Sequence, residues 1–148
     1  MTDQEKILWE LSESVEAAVS RSFAWSYWTD ITNWSDPPAR FLLEGPFTEG
    51  ACGTTLVPGE PPRRWSVREV RPPEHALVEM PLGAATVSFR WEFQAVEESK
   101  TRITQTVALR AAAADPSLLE ARKLFLTNLP AGMRKVALAM SRAFAERP

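Results

Sequence analysis

The stretch that decides the fold runs from Ala84 to Val96 and reads AATVSFRWEFQAV. Within it, Val87, Phe89, Trp91 and Phe93 alternate strictly with polar or small residues. Successive side chains of a β-strand point to opposite faces, so this alternation predicts a long strand with one dry, largely aromatic face.

A second alternating stretch follows after the short polar turn EESK. In Thr101–Ala111, the apolar residues Ile103, Val107 and Leu109 share one face with Gln105. Two such stretches joined by a short turn predict a β-hairpin with one buried face. Gln105 interrupts the apolar series, so it is a candidate to hydrogen-bond a ligand carbonyl or hydroxyl, or to pair with a buried backbone group.

Shorter elements precede this hairpin. Ile7–Ala17 alternates roughly and predicts a first strand. Ser20 is suited to cap a helix over Arg21–Asp30, and Asp30 to start a second short helix that ends near Trp34. Turn residues then separate three further short predicted strands, namely Ala39–Leu43, Gly53–Val57 and Arg63–Arg71.

The last third of the chain changes to a helical period. Apolar residues recur at intervals of three, four or seven, which is typical of one helix face. Asp115 and Pro116 suit the start of a helix that reaches about Glu146, and Pro130 predicts a kink or two nearly collinear pieces. The repeating residues are Leu118, Phe125, Leu129, Val136, Met140 and Phe144.

The widths of these elements predict a space between them. Seven strands about 4.8 Å apart form a sheet roughly 30 Å wide, whereas a helix with its side chains is about 10–12 Å across. One long helix therefore cannot fill the apolar face of the sheet. The remainder must be filled by the short helices, by bulky side chains, by curling of the sheet, or by a ligand.

Composition limits the class of protein. The 148 residues suit one domain, 1–148, and 17 basic against 19 acidic residues give a formal net charge of −2. The basic residues are scattered, so we expect no nucleic-acid partner, and the lack of a long apolar run predicts no membrane insertion. The single cysteine, Cys52, allows no internal disulfide and fits a cytoplasmic location; a monomer and a homodimer are both compatible with the sequence.

The order of elements resembles the START-like (SRPBCC) superfamily of polyketide cyclase/dehydrase and lipid-transport type. At its front, the segment Val15–Ala18 followed by Phe23 and Trp34 is similar to the pattern of that superfamily. The resemblance implies an α+β helix-grip fold, in which a curved seven-stranded antiparallel sheet surrounds a long C-terminal helix and two short helices join strands 1 and 2. It also implies a cavity between helix and sheet.

Large apolar side chains on the predicted inner surfaces are the candidate ligand contacts. Aromatic rings offer a large apolar area, and methionine adapts to varied shapes, although all of these side chains would serve equally well as core. With Gln105, the candidates are Trp28, Trp34, Phe41, Trp65, Phe89, Trp91, Phe125, Leu129 and Met133.

Polar groups suited to catalysis are few. Glu13 and Glu79 share the inward parity of their predicted strands, whereas a slip of one residue would place them in water. The only histidine, His75, follows two prolines at a turn, which disfavours a catalytic base. No cluster has metal-ligand spacing, and no glycine-rich phosphate loop is present. We therefore expect neither a metal nor a cofactor, and catalytic residues remain unassigned.

Three functions are compatible with this pattern. The first is binding of a small hydrophobic molecule, such as a lipid, a polyketide or an aromatic metabolite, in an internal cavity. The second is a polyketide cyclase or dehydratase that uses the same cavity without a metal, and the third is a protein-interaction module. The scarcity of inward polar groups favours binding, and fold alone does not decide between these classes.

Overall fold

The computed structural model describes residues 5–147, and within them lie one antiparallel sheet, one long helix and one short helix. The sheet order is β1-β7-β6-β5-β4-β3-β2, which confirms the predicted helix-grip α+β fold. Residues 1–4 and 148, the ends of the predicted domain, lie outside the described residues. The elements are β1 (Lys6–Ala17), α1 (Arg21–Thr29), β2 (Arg40–Leu43), β3 (Cys52–Leu56), β4 (Arg63–Arg71), β5 (His75–Leu82), β6 (Ala85–Glu97), β7 (Lys100–Ala111) and α2 (Pro116–Ala145).

The connection between β1 and β2 contains less helix than the sequence predicts. Ser20 caps α1 by accepting a hydrogen bond from the Phe23 amide, at 3.3 Å. The second predicted helix is a single 3-10 turn, Ile31–Asn33, with Asp30 as its cap. Two prolines follow soon after Trp34, and a residue before proline avoids the helical region, so the turn cannot extend.

β5 is the strand whose bounds the sequence pattern does not indicate. Its inward residues Ala76, Val78 and Met80 alternate with His75, Leu77 and Glu79, and the apolar Leu77 at an outward position obscures the pattern. In the structure β5 pairs with β4 on one side and β6 on the other. Pairing on both sides completes the seven strands.

The long helix α2 lies along the edge strand β1. Near its start, the Trp9 indole N–H donates to the Leu118 carbonyl at 2.9 Å, and near its end the Ala18 amide donates to Ser141 Oγ at 3.0 Å. Helix and strand therefore run in the same direction. Pro130 lies inside one continuous helix. No helix within residues 5–147 combines the length and apolar character needed to cross a membrane.

The apolar interior divides into clusters rather than one continuous core. One cluster contains Trp28, Phe93 and Ile103, and a second contains Trp9, Val87 and Leu109. Leu129 is partly buried and packs against both. Leu129, in the middle of α2, therefore lies at the boundary between these two clusters.

Candidate functional site

The concave face of the sheet, which faces α2, carries two neighbouring polar side chains about halfway along the edge strand β1 and its neighbour β7. Glu13 on β1 pairs with Gln105 on β7, and Gln105 pairs in turn with Trp91 on β6. All three side chains have the inward parity, because Leu11 and Val15 flank Glu13 on the same face. Directly opposite residues of paired strands have Cβ atoms about 4.5–5.5 Å apart. We call Glu13 and Gln105 the polar pair.

The polar pair is partly buried and has no partner within the protein part that the structure describes. Glu13 and Gln105 each lie in the partly buried class, and among residues 5–147 neither side chain takes part in a hydrogen bond or ion pair. Solvent still reaches their polar atoms, because the only buried side-chain nitrogen or oxygen without a partner in residues 5–147 is Arg110 Nε, so water can serve as their partner. The pair is therefore available to an outside molecule.

Aromatic rings fill the side of the concave face near α1. The Trp28 ring lies 5.0 Å from that of Trp91 and 5.7 Å from that of Trp34, centroid to centroid. Trp34 stacks on Trp65 at 5.4 Å and meets Phe41 edge-on at 5.6 Å. We call Trp28, Trp34, Phe41 and Trp65, together with Phe47, the aromatic cluster.

Polar anchors fix the orientation of these rings. The Trp34 indole N–H donates to the Trp28 carbonyl at 2.6 Å, and the Trp65 indole N–H donates to Thr55 Oγ1 at 3.1 Å. The six-membered ring of Trp65 lies directly over Gly53, where any Cβ would collide with it. Gly53 is thus required by the close approach of the indole to the backbone.

The predicted site residues fall into two groups by burial. Trp28, Trp65 and Met133 are buried, with 5%, 6% and 1% of their surface exposed. The others remain partly exposed on the concave face or its borders; they are Trp34, Phe41, Phe89, Trp91, Gln105, Phe125 and Leu129. Within the second group, Phe89 and Phe125 meet at 6.0 Å between ring centroids. The structure therefore gathers Trp28, Trp34, Phe41 and Trp65 in the aromatic cluster and Phe89, Phe125 and Leu129 in the cluster of Trp9, and it places Trp91 directly beside Gln105.

The hypothesis of an inward Glu79 is wrong. Glu79 pairs with Ser88, and on β5 the inward positions belong to Ala76, Val78 and Met80. Its carboxylate accepts a hydrogen bond from Arg110 at 3.2 Å on the convex face. The inward parity follows the apolar residues of β5, which leaves the glutamate between them on the opposite side.

His75 also lies on the convex face and has a structural partner there. Its Nε2 atom lies 3.0 Å from Glu69 Oε1, and this hydrogen bond holds the pKa of Glu69 below its usual value. The pairing occupies His75 away from the polar pair. Elsewhere in residues 5–147, no three His, Cys, Asp or Glu side chains converge as metal ligands.

Two open surface depressions lie away from the concave face. One, of about 400 Å³, is bordered by Phe23, Phe144 and Arg147, and the other, of about 390 Å³, by Arg21, His75 and Arg102. Both are wide and bordered largely by polar atoms, unlike the mostly apolar, enclosing sites of small hydrophobic molecules. Neither contains a predicted site residue.

Sequence reasoning missed one member of the aromatic cluster. The Phe47 ring lies 5.2 Å from that of Trp28, but Phe47 belongs to the loop between β2 and β3. A loop has no period, so no pattern indicates which way Phe47 points. For Glu13 the sequence does contain a signal. Its parity on β1 predicts an inward side chain, and the structure confirms this.

Comparison with known proteins agrees with this architecture. The family described as "Polyketide cyclase / dehydrase and lipid transport" matches residues 9–141. The structure of truncated norcoclaurine synthase from Thalictrum flavum has a TM-score of 0.74 at 16% identity, covering 99% of this chain and 100% of that chain. The same enzyme in complex with dopamine and hydroxybenzaldehyde has a TM-score of 0.71 at 15% identity, covering 97% and 90%.

A protein from a biosynthetic pathway shares the fold as well. The di-domain aromatase/cyclase BexL from the BE-7585A biosynthetic pathway has a TM-score of 0.64 at 19% identity, with 91% of this chain and 46% of that chain covered. No protein with a curated description matches the sequence. At these identities the solved structures show the fold alone, whereas the family match spans most of the sequence. The chain belongs to the polyketide cyclase/dehydrase and lipid-transport family.

Proposed function

We propose that this protein binds a small hydrophobic molecule, such as a lipid, a polyketide or an aromatic metabolite, between the concave face of the sheet and α2. The observation that carries this proposal is the incomplete burial of the middle of that face. Phe89 and Trp91 are only partly buried, whereas their strand neighbours Val87 and Phe93 are 0% and 3% exposed. Solvent therefore reaches central rings that an uninterrupted core would cover.

An apolar ligand would gain from covering these side chains. Removing apolar surface from water stabilises a complex by roughly 25 cal/mol per Å². Phe89, Trp91, Phe125 and Leu129 supply such surface on both sheet and helix. Leu129 lies at the boundary of the two clusters, so a ligand there would contact both.

The family supports the same proposal. Its description includes lipid transport, and a relative in fold has been observed with two small aromatic molecules. We carry over the ligand class, a small apolar or aromatic molecule, and not the identity of any ligand.

The proposal can be tested with the neutral fluorescent probe N-phenyl-1-naphthylamine. We expect saturable binding with one site per chain, because the site lies between one sheet and one helix. Leu129→Trp, which places a larger ring at the boundary, should weaken probe binding about tenfold or more. Leu138→Trp is the matched control on the same helix, since Leu138 is 53% exposed.

Two results would count against a site beneath α2. The first is absence of probe binding to the folded wild-type protein, together with no small molecule released on denaturation of the freshly purified protein in native mass spectrometry. The second is equal loss of binding in Leu129→Trp and Leu138→Trp, which would place the probe on the outer surface. Circular dichroism of both variants checks that α2 is intact.

A polyketide cyclase or dehydratase activity is the second candidate. A cyclase needs a pocket that folds a reactive chain and a group that moves a proton, and Glu13 is a carboxylate on the concave face. Product analysis with a poly-β-ketone substrate tests it. Altered cyclisation that depends on Glu13 supports catalysis, and the spontaneous product mixture in both wild type and Glu13→Gln excludes it for that substrate.

A further inference from the structure

Three glutamates of the sheet are partly buried, and they differ in the side chains that contact their carboxylates. Glu69 has His75 at 3.0 Å and Glu79 has Arg110 at 3.2 Å. Glu13, the third, has no cationic partner among residues 5–147. In the free protein, water compensates the Glu13 carboxylate, because its oxygen atoms are still reached by solvent. The sheet therefore pairs two of these acids internally and leaves one open toward the helix.

The surroundings of Glu13 make that exception specific. Leu11 and Val15 flank it along β1, and Leu129 of α2 packs against both of the clusters to which these two residues belong. Gln105 is its cross-strand neighbour and offers both a hydrogen-bond donor and an acceptor. The carboxylate is thus placed at an apolar boundary, with one neutral polar side chain beside it.

Trp91 completes the row across the sheet. It pairs with Gln105 on the next strand, so its backbone lies about 10 Å from that of Glu13, two strand spacings away. An aromatic face within about 6 Å of a cation attracts it, as does a carboxylate. The row therefore presents an anion, an amide and a ring in sequence across a short distance.

We propose that Glu13 and Gln105 select ligands that carry a protonated amine on an apolar skeleton, with the ammonium group at Glu13 and the hydrocarbon part against Trp91 and Phe89. This inference rests on the proposed function and names its ligand class. The amine supplies the cation that Glu13 lacks within the protein. A neutral ligand leaves the carboxylate to water, and an anionic ligand meets it as a like charge.

Three probes of one skeleton test this preference by isothermal titration calorimetry at neutral pH and low salt. They are 4-phenylbutylamine, 4-phenylbutanol and 4-phenylbutanoate, which present a cation, a hydroxyl and an anion. We expect the amine to bind about tenfold or more tightly than the alcohol, because a hydrogen bond to a charged group is stronger than a neutral one. The carboxylate should bind most weakly.

Single substitutions test whether the preference for the amine over the alcohol depends on the polar pair. Glu13→Gln should lower amine affinity to that of the alcohol and leave alcohol affinity within about twofold. Glu10→Gln is the matched control, because Glu10 lies on the same strand, faces the convex side and is exposed. Gln105→Leu should leave the fold intact and reduce the amine preference by a smaller factor.

The outcomes separate this inference from the proposed function. If amine and alcohol bind wild type equally, or if Glu13→Gln keeps the amine preference, the inference is overturned while hydrophobic binding stands. If none of the three probes nor N-phenyl-1-naphthylamine binds, the proposed function fails and the inference fails with it. An equal loss of amine binding in Glu10→Gln would show a general charge effect and overturn the inference too.

Discussion

The aromatic cluster and the polar pair lie on the same concave face, yet they are built differently. In the aromatic cluster, Trp28 is 5% exposed and touches the rings of Trp34, Phe47 and Trp91. At the polar pair, Glu13 and Gln105 are partly exposed and lack partners within residues 5–147. One side of the face is closed by the protein's own rings, and the other stays more open to solvent.

The aromatic stripe of β6 illustrates the same difference along a single strand. Strand alternation places Phe89, Trp91 and Phe93 on one face but does not say how densely each is covered. Trp25 and Trp28 from α1 pack against Phe93, with ring centroids 5.6 Å apart in each case, whereas Trp91 and Phe89 on the same strand stay partly exposed. The covering element, and not the strand, decides which ring is core and which is accessible.

The largest expected effect sharpens this comparison with two tryptophans in contact. Trp28→Ala should lower the free energy of unfolding by about 3–5 kcal/mol, because it empties a buried ring site. Trp91→Ala should cost less, because the Trp91 ring is only partly buried, and should also weaken binding of N-phenyl-1-naphthylamine. Urea denaturation and probe titration measure both. Equal destabilisation with unchanged probe affinity would break the comparison and make Trp91 plain core.

An intermediate effect is expected at the outer edge of the aromatic cluster. Gly53→Ala places a methyl group against the Trp65 ring and should cost about 1–3 kcal/mol through overpacking. Gly132→Ala is the control in α2, where an added Cβ meets open space, and should be neutral or stabilising. Thermal unfolding of the two variants gives the comparison. A neutral Gly53→Ala would mean that Trp65 moves freely, and the cluster would not be closed.

The smallest effect is expected at the start of α2, where Asp115 caps the helix. Asp115 accepts hydrogen bonds from the Ser117 amide at 2.8 Å and the Ser117 hydroxyl at 2.7 Å, and these hold the pKa of Asp115 below its usual value. A lowered pKa in the folded state means that ionised Asp115 stabilises the protein above its usual pKa. That contribution is lost as the pH falls through the lowered value.

Asp115→Asn should therefore lower the melting temperature slightly at neutral pH and leave it unchanged in acid, where wild-type Asp115 is protonated. Differential scanning calorimetry at both pH values measures this. Glu120→Gln removes a charge from the same helix away from the cap and is the control. A difference that persists in acid would assign the effect to geometry and not to charge.

Most of the fold could be predicted from local pattern. The hairpin of β6 and β7, strand β4 and helix α2 begin and end within one or two residues of their expected bounds. Strand β5 had no predicted bounds because the apolar Leu77 at an outward position obscures its alternation, and without a fixed register Glu79 was misplaced. The second short helix was overestimated, since the prolines after Trp34 leave room for one turn only.

The sequence by itself determined which residues share a face and where each period changes, because both follow from backbone geometry over a few neighbouring residues. The tertiary structure alone makes Glu13 and Gln105, far apart in the chain, cross-strand neighbours. It alone pairs Arg110 with Glu79 and His75 with Glu69 and leaves Glu13 without a partner among residues 5–147. The reason is that strand register and the position of a helix on a sheet depend on packing across the whole molecule, which no local pattern contains.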